Sequence, residues 1–146
     1  MRMEKPEIIE GGLHADERGS VAFVNGFDLK QIRRFYTISH PDTSVVRAWQ
    51  GHKEEAKWFF CSKGVFNILL VKIDDWDNPS GDLNVMTFQL SENKPRVLAV
   101  PPGYANGFKA IEADSTLLVF SDKDLESSIN DDFRFDKNLW YNWKTI

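Results

Sequence analysis

The chain has 146 residues, 42% of them hydrophobic and 13% aromatic, which suffices for one well-filled core and falls short of two ordinary domains. Its 27% charged residues and net charge of -4 describe a mixed, mildly acidic surface without the basic stripe that nucleic-acid phosphates require. The opening MRMEKPEIIE has no apolar signal core, and no apolar run approaches the roughly 18 residues of a membrane-spanning helix, so the expectation is a cytoplasmic chain with no nucleic-acid or membrane partner.

Short apolar runs separated by turn residues recur along the whole length. In chain order they are 20–24 (SVAFV), 32–39 (IRRFYTIS), 44–49 (SVVRAW), 57–62 (KWFFCS), 65–73 (VFNILLVKI), 84–90 (NVMTFQL), 96–100 (RVLAV) and 115–121 (STLLVFS). Length and β-branched or aromatic content make these strands. Between them stand Asn25-Gly26, Pro41-Asp42, Lys63-Gly64, 78–81 (NPSG), 93–95 (NKP) and Pro101-Pro102-Gly103, residues suited to turns. The polar stretch 122–132 has room for a helical turn or two. This pattern predicts a single all-β domain, a barrel or sandwich. The tail FRFDKNLWYNWKTI is too aromatic to be solvated, and packs either on its own domain or on a second copy. Cys61, the lone cysteine, sits beside Trp58, Phe59 and Phe60 and reads as a buried thiol rather than a nucleophile.

The stretch 45–55 (VVRAWQGHKEE) places a histidine and several charges after an apolar strand. Side chains alternate in a strand, so Gln50, His52 and Glu54 share a face, whereas Arg47 joins them only through a bulge or break near Ala48. His14 and His40, next to acidic or turn residues, read as surface groups.

The same stretch carries a family resemblance. R-A-W-Q-G-H-K at 47–53 is similar to the R-G-L-H-Y-Q strand of dTDP-4-dehydrorhamnose 3,5-epimerases, and to R-G-x-H-A-H-K of the sugar-nucleotide 3,4-ketoisomerases. Asp16-Glu17-Arg18-Gly19 resembles the epimerase D-x-R-G, Lys57 with Gly64 the following K-x6-G, Pro79-Ser80-Gly81 a family turn, and 100–108 (VPPGYANGF) the block I-P-x-G-F-A-H-G-F. These blocks occur in order over residues 16 to 135. The resemblance implies a cupin-type double-stranded β-helix (jelly-roll barrel), a homodimer, and a nucleotide-sugar ligand such as a dTDP-linked 4-keto-6-deoxyhexose of polysaccharide synthesis. Arg18, Arg47 and Lys57 are the positions it assigns to the diphosphate, and Gln50, Tyr104, Asn106 and Phe120 are further substrate-binding positions. Trp49 and Tyr104 are candidates to stack on base or sugar.

Departures from the family pattern bear on catalysis. Gln50 stands where the first histidine belongs, and an amide has no useful basicity near neutral pH. Asn106 replaces the second-motif histidine, and Phe120, fourteen residues on, replaces the tyrosine that returns a proton. What remains is His52 as a base poised by Glu54, with Tyr36 or Tyr104 as a proton donor. Cupin metals are held by H-x-H, a glutamate and a later histidine; with Gln50 and Asn106 in two of those places, no metal and no cofactor are expected. Two readings stay open: an epimerase or isomerase working through His52, and a non-catalytic nucleotide-sugar-binding or accessory cupin.

Overall fold

The computed structural model describes residues 3–145. Two five-stranded antiparallel sheets face each other. The first has the order β1(Glu7–Glu10), β9(Arg96–Val100), β6(Lys57–Lys63), β11(Ser115–Ser121), β4(Arg34–His40). The second runs β12(Phe133–Arg134), β5(Val46–His52), β10(Tyr104–Ala110), β7(Val65–Lys72), β8(Val85–Ser91). A separate hairpin, β2(Gly12–Asp16) with β3(Gly19–Phe23), stands outside both. This is the all-β architecture that the strand pattern predicts, and the jelly roll that the family resemblance implies. Beyond the expected strands it has β1, β2, β10 and the short β12, whose polar, Gly-containing or very short sequences gave no apolar run. The polar stretch holds one short helix, α1(Leu125–Ile129), capped by the Asp124 carboxylate on the Ser127 amide. No helix among the described residues is long and apolar enough to cross a membrane.

Several strands are apolar on both faces because the molecule is built in more layers than two. Phe59, Phe66, Ile68, Leu70, Leu98, Leu117 and Phe108 meet between the sheets. On the outer face of the first sheet, Ile9, Trp58, Val97 and Ala99 are covered by Val24, Phe27 and Ile32. On the outer face of the second, Trp49, Leu69, Val71 and Ala105 are covered by the C-terminal tail through Phe135, Trp140, Tyr141 and Trp143. Of the two fates open to the aromatic tail, packing on its own barrel is the one observed. Both Trp49 and Trp143 donate their indole N–H to the carbonyl of Lys137, at 3.2 and 2.8 Å, which ties the tail to β5. Trp49 is therefore a packing residue turned away from the barrel interior.

Cys61 is buried, with its thiol aimed at the carbonyls of Lys63 and Gly64, and burial pushes it up to about 11. It is a structural thiol. Because Trp143 is only 5% exposed and anchors the tail, Trp143→Ala is expected to destabilise the protein by about 3–5 kcal/mol, read as a lower urea midpoint with little change in slope.

Candidate functional site

The site depends on an irregularity in β5. Pairing with β10 matches Asn106 to Gln50 but Phe108 to Arg47, so β5 spends one residue more than its partner across this step. The Ala48–Trp49 peptide, which is cis, lies within it. A bulge of this kind reverses the alternation, so Arg47 and Gln50 both face inward while Ala48 and Trp49 both face the outer layer. The condition for Arg47 to join Gln50 is thus met. Opposite the bulge stands Gly107, where a Cβ would lie 2.8 Å from that of Ala48 and 2.9 Å from the Trp143 ring, so only glycine fits.

Where edge strand β4 faces β5 and β12, the two sheets leave a cavity of about 540 Å³. Tyr36, Arg47, Gln50, Lys57, Asn106 and Arg134 supply its polar lining, and Phe59 and Phe108 part of its apolar lining. Five of the positions expected from sequence therefore converge here. Lys57, 3% exposed, places its Nζ 3.1 Å from the Tyr36 hydroxyl and 3.1 Å from Gln50 Oε1. Gln50 in turn donates to Asp132 at 3.1 Å, and Asp132 accepts from Arg134 at 2.7 Å. Burial pushes the Lys57 amine down to about 8, against the opposing pull of Glu55, and pushes the Tyr36 hydroxyl up to about 12, against the charge of Arg34.

His52 lies one alternation beyond Gln50 on the same face, 3% exposed, and does not line the cavity. Its Nδ1 sits 2.7 Å from the Asp131 carbonyl, which can only accept, so Nδ1 carries the proton and Nε2 the lone pair. Nε2 is buried without a hydrogen-bond partner. Burial first, and Lys57 second, hold this imidazole below its usual range, hence neutral. The carboxylate beside it is Glu55, at 3.4 Å, and not Glu54 as alternation had suggested. The reason is that β5 ends at His52, and the Asp131 carboxylate then accepts the amide N–H groups of Lys53, Glu54 and Glu55 at 2.8 to 2.9 Å, turning the loop. Glu55 also takes hydrogen bonds from Ser121, Ser128 and Arg34.

His52, Glu55 and Asp131 offer ligand atoms within 4.8 Å of one another, but the group does not suit a metal ion. Three amides occupy the Asp131 carboxylate, Arg34 and two hydroxyls occupy Glu55, and the His52 nitrogen facing them is a donor.

Three of the expected positions lie elsewhere. Arg18 is at the β2–β3 turn with its side chain 83% exposed, paired to Asp16 at 2.7 Å. Tyr104 is buried at another part of the interior, beside a hollow lined by Ile73, Leu83 and Met86. Phe120 points outward against Phe27 and Phe35, because Val119 and Ser121 take the inward positions of β11. His40 is no surface group: it is 1% exposed, ringed by Phe66 and Phe108, and accepts from Arg47 Nε at 3.3 Å, which orients that guanidinium. Arg34 and Arg134 were not singled out from sequence. A charged residue at an inward parity of β4 was the available signal for the first; none marked the second.

Barrel and cavity together define a jelly-roll cupin with a polar, cation-lined pocket between its sheets. The chain belongs to the family described as FdtA: WxcM-like, C-terminal, which matches residues 4–140. It is 30% identical over 120 residues to the probable low-salt glycan biosynthesis epimerase Agl13 of Haloferax volcanii, covering 77% of this chain and 74% of that one. Its fold is similar to dTDP-4-dehydrorhamnose 3,5-epimerase from Bacillus anthracis with TDP and PPi bound, at TM-score 0.75 and 18% identity, covering 94% of this chain and 84% of that one. It is similar also to a histidine-to-asparagine variant of the 3,4-ketoisomerase QdtA from Thermoanaerobacterium thermosaccharolyticum in complex with TDP-4-keto-6-deoxyglucose, at TM-score 0.68 and 22% identity, covering 91% and 89%.

A buried ammonium held only by neutral oxygens is a burden on folding. Lys57→Met is accordingly expected to stabilise the protein at pH 7, on the order of 1–3 kcal/mol, measured by thermal melting. The sign follows from linkage. The folded value, about 8, lies below the ordinary 10.5, so the unfolded chain binds the extra proton between them. The penalty is complete below about 8 and fades as pH rises toward 10.5, and the Met variant should lose that slope.

Proposed function

We propose that this chain is an epimerase or isomerase of a nucleotide-linked 4-keto-6-deoxy sugar, acting in glycan biosynthesis. The observation that carries this reading is the cavity between the sheets, which gathers Arg47, Arg134, Lys57, Tyr36, Gln50 and Asn106 around a volume suited to a sugar and its phosphates. Arg47, held by His40, offers a planar fork to the diphosphate. Tyr36 offers a hydroxyl that burial keeps protonated, suited to donating to a ketone oxygen. The ligand class agrees with the TDP-4-keto-6-deoxyglucose of the QdtA complex, and the glycan role with the description of Agl13 as a probable glycan biosynthesis epimerase. His52, with a neutral ring and a free Nε2 lone pair behind Gln50, remains a candidate for proton transfer.

We place the protein in the cytoplasm, where nucleotide-activated sugars are made, and we propose a homodimer. The β2–β3 hairpin supports the dimer: a two-stranded ribbon is marginal alone in water, and this one exposes Leu13, Val21 and Phe23. A second copy packed on it would cover those side chains and give Arg18 a route to a neighbouring cavity.

Two measurements test the reading. Incubated with TDP-4-keto-6-deoxyglucose in deuterated water, the protein should place deuterium at C3 or C5, seen by NMR; binding without exchange would instead mark an accessory sugar-nucleotide binder. By calorimetry, Arg47→Ala should weaken TDP binding by roughly 10-fold or more, the value of one lost charge-assisted contact. Unchanged affinity would place the diphosphate elsewhere.

A further inference from the structure

Lys57 has an unusual set of partners for a buried lysine. The nearby acids are engaged by others: Glu55 by Arg34 at 3.4 Å and by two hydroxyls, and Asp132 by Arg134 at 2.7 Å and by Gln50 at 3.1 Å. No carboxylate among the described residues lies within ion-pair distance of Lys57. Its Nζ meets two neutral acceptors, the Tyr36 oxygen and the Gln50 amide oxygen, each at 3.1 Å. Two acceptors match the neutral amine, whose two N–H bonds they satisfy while its lone pair is left over; a buried ammonium would want a third acceptor and a counter-charge. The amine belongs to the cavity lining. Moreover, Gln50, at the position where the family resemblance places a histidine, is one of the two groups that hold this amine.

We propose that Lys57, oriented by Gln50 and working beside Tyr36, is the base that moves the proton on the carbon next to the sugar ketone; this rests on the keto-sugar reading above. The neutral amine takes the proton from that carbon. The C–H electron pair becomes the C=C bond of the enolate, and the carbonyl π pair moves to oxygen, which accepts a hydrogen bond from the Tyr36 hydroxyl. The ammonium then returns a proton to carbon as the electrons flow back, with no net oxidation and no co-reactant. Tyr36 is free to donate to the ketone because its own oxygen is already accepting from Lys57.

The groups facing Lys57 are Tyr36 and Arg34 from β4, Gln50 and His52 from β5, Glu55 from the following loop, and Asp132 and Arg134 at β12. With this surrounding, exchange should rise with pH and level off at about 8.

Deuterium incorporation into TDP-4-keto-6-deoxyglucose tests the proposal, with TDP binding as the control for an intact pocket. Lys57→Met and Lys57→Arg should both bind TDP and lose exchange by about 10²- to 10⁴-fold, because arginine keeps the charge but cannot act as a base. In Lys57→Ala, added ethylamine or methylamine should restore exchange, faster for the more basic amine. Exchange that survives Lys57→Arg would reduce the lysine to a fixed charge and overturn the proposal. Exchange that survives Lys57→Met and disappears in His52→Asn would hand the role to the histidine and leave the keto-sugar reading standing. No exchange in the wild-type protein, with TDP still bound, overturns both.

Discussion

One extra residue in β5 decides what this barrel presents to a ligand. Without the step between Arg47 and Gln50, strict alternation would send one of them into the aromatic layer under the C-terminal tail, where a buried guanidinium would find no solvent and few acceptors. With it, both reach the cavity, and the two residues between them, Ala48 and Trp49, fall together onto the outer face. The same step requires Gly107 on the neighbouring strand and the Trp143 ring above it. Site and tail are therefore consequences of a single register change, and the tail's aromatic residues hold the bulge from behind.

Charge beneath the cavity is distributed unevenly. Glu55, Arg34, Ser121, Ser128 and Asp131 form a buried network in which nearly every donor meets an acceptor, and it fastens α1 and the chain before β12 to the end of β5. Such a network fixes geometry more than it adds stability. Lys57 sits at its border without belonging to it. The stabilising partners have been given to the arginines, and the lysine is left with neutral oxygens in a polar cavity. A side chain held at a cost to folding, in a pocket, is what a group selected for its chemistry looks like.

The departures from the family motif also look different once placed in space. Gln50 is no base, yet it links Lys57 on one side to Asp132 on the other. Phe120 says nothing about the loss of a proton donor, because its side chain is on the far side of the sheet from the cavity. The phenol that does face the cavity is Tyr36, from a different strand.

The fold was legible in the sequence because a jelly roll writes itself locally: apolar runs of strand length, turn residues between them, and motif blocks in order. Arg47, Gln50, Lys57 and Asn106 were named as binding positions by the family resemblance and Tyr36 as a proton donor, but alternation by itself set Arg47 against Gln50, and the bulge in β5 was needed to bring them together. What failed did so for physical reasons. Phe120 was named by its spacing from Asn106, and in 115–121 both faces are apolar because one is buried and the other half-buried, so alternation could not tell Phe120 from Val119. His40 looked exposed from its turn neighbours, but its ring closes the space between Phe66 and Phe108. Residues 53–55 looked like a continuing strand until Asp131, more than seventy positions away, took their amides and set Glu55 rather than Glu54 against His52. By itself, then, the sequence determined the strands and the turns between them, which follow from local periodicity, while the positions it offered for the cavity wall rested on resemblance to the family motif. Which acid neutralises which base, and that Lys57 is left with none, was decided only by tertiary structure, because those pairings join residues that no local pattern connects.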